Sequence, residues 1–536
     1  MQKSTKRNIF VAATYAGVLL LGILLGQNYV DEEGSKPVSS LVPIGLSGHS
    51  WKVQQLLDLI DEVYVDSVSM DSVQNGAINH IISHLDPYSS YLVPNESQRQ
   101  TEILGGTFEG IGMEYFNLND TLMVVSLING GPADKAGFRV GDKLLQLDRD
   151  TVAGVHISQE RVEELIRGRR GTTLQIRIMR DGEVRPTAIK VERDQVTVSS
   201  LDVVYMIESG VGYVKIRRFG VATADEFRQA IIELKKQGAK KLVLDLRDNG
   251  GGYFHVAIKL ASEFFADRRL IVYTQGAHEE RREYFSDSEE DGRGNFADGQ
   301  LAVLVNENTA SASEIVAGAI QDWDRGKIIG RRSYGKGIVQ EQFDFSDGST
   351  VNLSIARYFT PLGRSIQKKY TPNWSNMLDF TSMYSGLWAL DTLYADGRAF
   401  ETRAGNQVYS GGGILPDIHV AQDSNALNLF YQDLLQYNYI EQFVYSRFTK
   451  QAPAYSIENF LKGYHLPDQE YQAFIAFVRE EGFVLSDRDA RNLRELIESD
   501  IEALVGRFYF GREAYFKVKN RNDDFVAKAL EVLGGG

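Results

Sequence analysis

The sequence predicts a multidomain α/β protein with a small inserted β-domain and helical regions at both ends. The chain has 536 residues, more than one ordinary hydrophobic core holds. Residues 196–425 interleave apolar strands with helices, as α/β domains do. Residues 100–195 alternate short apolar strands with glycine-rich turns. Residues 31–99 begin as a linker and continue with helical spacing, and residues 426–536 read as a helical extension with polar faces.

The N-terminal residues 1–30 have the pattern of a membrane signal anchor. Lys3, Lys6 and Arg7 precede an apolar run over residues 9–26. Basic residues before such a run stay in the cytoplasm, so the rest of the chain is expected to be exported. About 18 apolar residues are just sufficient to cross a bilayer core. We therefore expect a single-pass membrane anchor with the following part of the chain outside the cytoplasm; the alternative is a cleaved signal peptide.

Individual elements follow from the local spacing of apolar residues. In the first blocks, helical spacing covers residues 51–85, strands are predicted at 110–115, 123–127, 143–147 and 174–179, and a helix at 159–167. In the α/β block, strands are predicted at 212–216, 241–246 and 301–305, and helices at 224–236, 255–265 and 313–323. The charged residues 278–299 predict a surface loop.

Composition excludes several functional classes. The net charge is −14, so no nucleic-acid partner is expected. The chain has no cysteine, which excludes disulfide scaffolds, thiolate zinc sites and thiol catalysis. His80 and His84 have the i, i+4 spacing of a helical metal pair, but the run lacks the glutamate of H-E-x-x-H. We interpret them as two exposed histidines and predict neither a metal nor a cofactor.

Two short motifs resemble catalytic signatures but lack their companions. Residues 330–336 resemble the start of a phosphate-binding loop, yet Gly337 replaces the magnesium-binding Ser/Thr and a strand pattern follows. Ser365 and Lys368 match S-x-x-K, the spacing of penicillin-binding enzymes, without S-D-N or K-T-G. We discard the first and keep the second as a distant alternative.

Ser311 stands between the apolar strand 301–305 and an alanine-rich helix, and it has two interpretations. It is either the N-cap of a capping box with Glu314, or a nucleophile whose oxyanion is stabilised by the helix N-terminus. A serine nucleophile needs a base, and no histidine lies nearby in a triad motif.

Lys336 is the candidate base, since burial lowers the pKa of a lysine. It lies between two glycines ahead of a strand, and Gln340 shares its face at i+4 and is expected to orient the amine. An exposed turn lysine is the alternative. A third candidate element is the glycine run that ends residues 242–252, whose N–H groups would complete an oxyanion hole; a plain strand–helix turn is again the alternative.

Together the three segments resemble the signatures of carboxyl-terminal processing peptidases, also called tail-specific proteases. They read DLRDNGGG at 245–252, NTASASEI at 308–315 and SYGKGIVQ at 333–340. Residues 76–89, 358–367 and 413–418 resemble further landmarks, so the resemblance covers about 51–420.

This resemblance implies specific roles and a fold. The nucleophile would be Ser311 rather than Ser313, and the general base Lys336, with Gln340 beside it. The oxyanion donors would be the amides of Ala312 and of one glycine, Gly250 or Gly251. The protease core would be a crotonase-like ββα domain over residues 196–425.

Residues 100–195 resemble a PDZ domain, with a plain small β-domain as the alternative. Residues 131–138 and 140–142 are typical of its bacterial form. The segment 108–113 has the shape of the carboxylate-binding loop, and its peptide-binding residues would be Phe108, Gly110, Ile111 and Gly112.

The expected function is that of an exported, membrane-anchored serine endopeptidase that cleaves proteins near their C-termini. Its anchor would lie in a bacterial inner membrane and its catalytic part in the periplasm. Its partners would be protein or peptide substrates with free C-termini. The extension 426–536 would contact a second copy or an adaptor. The alternative of a different class is an inactive PDZ scaffold on a protease fold.

Overall fold

The computed structural model describes residues 51–286, 294–370, 398–449 and 456–534. The chain divides into two compact units, Met1–Gln74 and Asn75–Gly536. The first contains helix α1 (Trp51–Val63) and the start of α2 (Met70–Ser83). The predicted anchor at 9–26 and the linker at 31–50 lie outside the described residues. Among the residues described, no helix is both long and apolar enough to cross a bilayer.

A short lead-in precedes the β-domain and consists of β1 (Ser90–Leu92) and α3 (Pro94–Gly105). The β-domain is built on a six-stranded antiparallel sheet in the order β3-β4-β5-β7-β8, with β6 paired to β5, while β2 pairs with β9 outside it. Its elements are β2 (Thr107–Gly110), β3 (Met113–Leu118), β4 (Thr121–Leu127), α4 (Pro132–Ala136), β5 (Lys143–Leu147), β6 (Asp150–Thr151), α5 (Gln159–Ile166), β7 (Thr173–Met179), β8 (Thr187–Glu192) and β9 (Asp194–Thr197).

The strand predicted over 110–115 is wrong at its start. Gly110 ends β2, and Gly112 has a φ of 74°, a left-handed conformation that a continuous strand does not contain. The chain therefore turns at Gly112 before β3 begins.

The α/β block contains a six-stranded sheet in the order β10-β11-β12-β15-β16-β21, parallel except at β10, and a five-stranded antiparallel sheet of β1, β13, β14, β17 and β18. Its elements are β10 (Leu201–Glu208), β11 (Val211–Ile216), α6 (Thr223–Lys236), β12 (Lys241–Asp245), α7 (Phe254–Ser262), β13 (Leu270–Gln275), β14 (Arg282–Phe285), β15 (Gln300–Val305), α8 (Ala312–Asp322), β16 (Lys327–Gly330), β17 (Ile338–Asp344), β18 (Thr350–Phe359), β19 (Ala399–Glu401), β20 (Gln407–Tyr409) and β21 (Ile418–His419). The predicted mixed α/β organisation is confirmed.

One element lies where a loop was expected. Residues 278–299 contain β14, which pairs with β13. Its Tyr284 and Phe285 are half-buried, and the ring of Tyr284 packs against the main core, so this part of the insertion belongs to the sheet.

The helical extension covers the second face of the parallel sheet. Its elements are α9 (Leu429–Gln436), α10 (Tyr439–Arg447), α11 (Ile457–Gly463), α12 (Asp468–Glu480), α13 (Asp487–Asn492), α14 (Arg494–Phe510), α15 (Arg512–Lys519), a 3₁₀ turn (Asn520–Asn522) and α16 (Asp524–Gly534). Successive residues of β15 face opposite sides: Leu301 and Val303 join the core under α6, α7 and α8, whereas Ala302 and Leu304 join the cluster under α16. Burial on both faces explains why this strand reads as continuously apolar.

The extension also packs on the β-domain. Met123 and Val125 of β4 belong to the apolar cluster of the extension. Arg507 and Arg512 both form ion pairs with Glu114 of β3. The extension therefore joins the β-domain to the α/β block.

Candidate active site

Ser311 lies at the turn between β15 and α8, where the backbone presents its side chain. It adopts φ 56° and ψ −117°, a conformation that L-residues rarely adopt. Gly251 packs directly against this turn, because a Cβ there would lie 2.8 Å from the Ser311 Cβ and 3.0 Å from the Ala312 nitrogen. Ala312 is the first residue of α8, so its N–H has no acceptor within the helix. Only a glycine fits at 251 beside the serine.

The glycine-rich turn after β12 is tied to the same place through Asn249. The Asn249 carbonyl accepts from the Ala310 N–H (3.0 Å) and from the Ser313 hydroxyl (3.0 Å). The Asn249 side chain accepts from the Gly251 N–H (2.9 Å). Ser311, Ala312 and the glycine pair are thus brought together, and Ser313 is a buried residue that supports the turn.

Lys336 lies in a turn just before β17, and its amine is held from one side. Its Nζ donates to Gln340 Oε1 (2.6 Å), and Gln340 Nε2 donates to the Tyr88 carbonyl (2.6 Å). The Tyr88 ring centroid is 5.6 Å from Nζ. Burial lowers the pKa of Lys336, while the charges of Glu314 and Asp86 act in the opposite direction. The side chain is not the exposed turn lysine of the alternative interpretation.

Glu314 connects the serine turn to the lysine turn. Its Oε2 accepts from the Ser311 N–H and the Lys336 N–H, both at 2.9 Å. Its Oε1 accepts from the Ser333 hydroxyl (2.5 Å) and the Gly335 N–H (2.7 Å). Burial raises the pKa of this carboxyl to about 7, with these four hydrogen bonds acting against the rise. One buried carboxyl group therefore fixes the backbone of both candidate catalytic residues.

Tyr358 of β18 forms a second connection. Its hydroxyl lies 3.1 Å from the Ser311 carbonyl oxygen and 2.7 Å from the Lys336 carbonyl oxygen. The side chain is 1% exposed, and burial raises the pKa of its hydroxyl well above the usual value. The neutral hydroxyl is thus available as a donor to these carbonyls.

Sequence reasoning identified Glu314 only as half of a capping box and gave no role to Tyr88 or Tyr358. The bond from the Ser311 N–H to Glu314 is present, but the same carboxylate also reaches the Lys336 turn. The landmark segments 76–89 and 358–367 were the available signal, since they contain the two tyrosines.

The phosphate-loop-like segment, the S-x-x-K segment and the histidine pair also lie within the described residues. Ile338–Asp344 is a strand, as the pattern after the glycine turn predicted. The S-x-x-K segment supports the lysine turn, because the Lys368 N–H donates to the Gly335 carbonyl (2.9 Å). His80 and His84 are exposed, with their Nε2 atoms 3.3 Å apart.

The four predicted peptide-binding residues all belong to the β-domain and have different surroundings there. The Phe108 ring faces the Arg167 guanidinium at 5.3 Å. Gly110 and Gly112 are buried, and the Ile111 side chain belongs to the β-domain core. At Ile111 the backbone, and not the side chain, is therefore the candidate for peptide contact.

Comparison with known proteins assigns the separate parts of the chain. Residues 210–375 match peptidase family S41, and residues 110–191 match the PDZ domain. Residues 14–95 match the N-terminal domain of the activating protease CtpB, and residues 430–511 match a family of unknown function.

Curated relatives are similar over part of their length. A probable CtpA-like serine protease of Staphylococcus aureus is 32% identical over 320 residues, covering 59% of this chain and 62% of the relative. Another from Staphylococcus epidermidis is 33% identical over 324 residues, covering 59% and 63%. The chain thus spans less than two thirds of the length of these relatives. The solved photosystem II D1 C-terminal processing protease is 27% identical, with coverage of 72% and 90% and a TM-score of 0.36.

These matches confirm the resemblance seen in the three motifs: the chain carries a serine peptidase domain of family S41, preceded by a PDZ domain.

Proposed function

We propose that the chain is a Ser311–Lys336 endopeptidase that cleaves proteins near their C-termini after the PDZ domain has bound the tail. The observation that carries this proposal is the shared contact of Glu314 Oε2 with the Ser311 and Lys336 amides. A serine hydroxyl and an amine of lowered pKa are the two parts that acyl transfer needs, and here they stand on two turns whose backbones are held by one carboxyl group. An inactive scaffold is less favoured, because such a scaffold has no use for this arrangement.

In the proposed mechanism, neutral Lys336 accepts the Ser311 hydroxyl proton as the oxygen attacks the scissile carbonyl carbon. The C–N bond of the tetrahedral intermediate then breaks, and Lys336 returns the proton to the leaving amine. Water then attacks the resulting ester while Lys336 accepts a proton from it. The acyl C–O bond to Ser311 breaks, Lys336 returns that proton to the Ser311 oxygen, and the carboxylic acid is released. Gln340 orients the amine throughout, because its Oε1 accepts a hydrogen bond from Lys336 Nζ.

The oxyanion of each tetrahedral intermediate would be bound by two backbone N–H groups. Ala312 supplies the first from the start of α8. For the second we favour Gly250 over Gly251, because the Gly251 N–H already donates to the Asn249 side chain.

The wider organisation remains a proposal that the sequence supports. We propose a PDZ domain over residues 100–195, a crotonase-like ββα protease core over 196–425 and an extension over 426–536, after the helical region 31–99. The basic and apolar pattern of residues 1–30 supports an extracytoplasmic location behind a membrane anchor.

Tail recognition by the PDZ domain predicts that cleavage depends on the substrate's terminal carboxylate. Amidating that terminus removes a charged acceptor from the backbone amides near Gly110–Gly112. Losing one charged hydrogen-bonded group costs about 1.5–3 kcal/mol, so kcat/KM is expected to fall about 10- to 100-fold.

The measurement compares an unstructured protein substrate in free-acid and amidated forms, with cleavage sites identified by mass spectrometry. A short peptide that spans the cut site, used at high concentration, is the control and should be nearly insensitive to amidation. Equal cleavage of both long substrates would assign the PDZ domain a role other than tail binding.

A further inference from the structure

Arg247 immediately precedes the oxyanion turn (residues 248–252), and its guanidinium group donates to two carboxylates. Arg247 is two residues ahead of Asn249, whose contacts place the glycine pair beside Ser311. Its NH2 donates to Asp245 Oδ2 (2.7 Å), within the same strand end. Its NH1 donates to Asp523 Oδ2 (2.7 Å), in the helical extension 276 residues later.

Arg247 helps to keep the buried carboxyl group of Asp245 ionised. Asp245 is fully buried, which alone would raise its pKa, but the charges of Arg247 and Lys215 outweigh burial and hold the pKa below the usual range. The Arg247 side chain is itself only 13% exposed. Its position is therefore constrained, and Asp523 is the partner that comes from outside the protease block.

Phe525 contacts the two segments that lead into the turns of the active site. The Arg247 guanidinium lies 4.7 Å from the Phe525 ring centroid, and that of Arg331 lies 4.9 Å from it. Arg331 begins the segment that leads from β16 to Lys336. A Cβ at Gly330 would lie 2.8 Å from the Phe525 ring, so this glycine makes room for it. One aromatic ring thus touches the approach to the oxyanion turn and the approach to the base.

Helix α16 is firmly seated on the sheet that carries both turns. Its buried residues Phe525, Val526, Ala529 and Leu533 pack against alternate residues of β11, β12, β15 and β16. Lys241 also donates a hydrogen bond to the Leu533 carbonyl. Asp523 and Phe525 therefore stand on a packed element rather than on a free tail.

We propose that Asp523 and Phe525 are positioning residues of the peptidase site, so that the helical extension completes the oxyanion turn through Arg247. The kinetic test of this inference rests on the proposed function, because it measures turnover. The structural test, amide hydrogen exchange in the turn, rests on the geometry alone. The start of α16 would then position the catalytic turn, while the rest of the helix covers one face of the sheet.

Asp523→Asn is the informative variant because the two carboxylate oxygens of Asp523 accept hydrogen bonds from different groups. Oδ1 caps α16 by accepting from the Phe525 N–H (2.9 Å) and the Val526 N–H (3.1 Å), whereas Oδ2 pairs with Arg247. Asparagine is as good an N-cap as aspartate, so the helix keeps its start while the ion pair is lost. Glu531→Gln is the matched control, since it removes an exposed carboxylate from the same helix, where it pairs only with Lys528 among the described contacts.

The full chain and its variants are assayed with an unstructured protein substrate, and amide hydrogen exchange is followed in residues 246–253. For Asp523→Asn we expect kcat to fall about 10- to 100-fold with KM within two-fold of the parent value, because a displaced donor is felt mainly in the transition state. Exchange in 246–253 should be faster. Phe525→Leu keeps an apolar helix start and should show the same split, and Glu531→Gln should match the parent.

Parent kinetics in Asp523→Asn and Phe525→Leu, or a rise in KM without a fall in kcat, would overturn the inference. An unchanged exchange rate in 246–253 would overturn it as well, whatever the turnover. Failure of the proposed function has a separate signature: the parent chain would then cleave no substrate, or Ser311→Ala would retain its activity, while the exchange result would still report the position of the turn.

Discussion

Replacing Ser311 by alanine is expected to lower kcat by at least about 10⁴-fold, because no other nucleophile can form the acyl-enzyme. The backbone contacts of the turn use the Ser311 N–H and carbonyl, which alanine keeps. The fold should therefore persist. The measurement is turnover of an unstructured protein, with circular dichroism and the melting temperature as folding checks.

Ser313→Ala is the matched control from the same motif. Its hydroxyl is fully buried and donates to the Asn249 carbonyl, so its loss should loosen the glycine turn without removing the nucleophile. We expect a much smaller loss of turnover than for Ser311→Ala. The reverse ranking of the two variants would show that the wrong serine had been chosen.

Lys336→Ala is expected to reduce turnover by a similar factor, since nucleophile and base act as one unit. The parent enzyme should gain activity as the pH rises, because only neutral Lys336 accepts a proton and its fraction increases through the pKa. Burial lowers that pKa, so the midpoint should fall below that of a free lysine.

Glu314→Gln tests the assignment of that midpoint to Lys336. The Glu314 charge raises the pKa of Lys336, so its removal should move the midpoint of the pH–rate profile to lower pH. The glutamine amide cannot accept all four hydrogen bonds of the carboxylate, so turnover is also expected to fall, and the test compares the midpoint rather than the maximum rate. The shift should be clearest above pH 7, because the Glu314 carboxyl, with a pKa of about 7, is mostly ionised there. A midpoint that stays in place or moves upward in Glu314→Gln would contradict lysine as the base.

The sequence was sufficient for elements whose pattern is local. The continuous apolar run at 301–305 predicts β15 because both faces of that strand are buried. The spacing of Lys336 and Gln340 predicts that the two side chains meet, and they form a hydrogen bond. The shared strand face expected for them is wrong, because Lys336 precedes β17 and the strand has a register shift between Val339 and Gln340. The Gly112 turn was missed because a glycine between apolar residues also fits a strand.

The sequence was insufficient where residues distant in the chain meet. The contact of Glu314 with Lys336 spans 22 residues, and that of Gln340 with Tyr88 spans 252. The Arg247–Asp523 pair joins residues 276 apart. Such contacts depend on how sheets and helices are arranged, and no spacing rule within one segment predicts them. Family motifs marked some of these residues and placed Gln340 beside Lys336, but they did not give the contacts with Glu314, Tyr88 or Asp523.

The left-handed backbone of Ser311 also has a consequence for the trade-off between activity and stability. A non-glycine residue at φ 56° and ψ −117° stores strain of about 1–3 kcal/mol, which the rest of the fold must offset. Ser311→Gly should release it and, after the entropic cost of glycine, raise the melting temperature by about 2–4 °C while abolishing activity. Ser311→Ala keeps the Cβ and should show no such gain. Scanning calorimetry on the two inactive variants compares them directly. A melting temperature of Ser311→Gly equal to or below that of Ser311→Ala would show that the strain in the serine turn is no larger than the entropic cost of glycine. If Ser311→Gly has the higher melting temperature, the strained conformation that presents the Ser311 hydroxyl lowers the thermal stability of the peptidase domain.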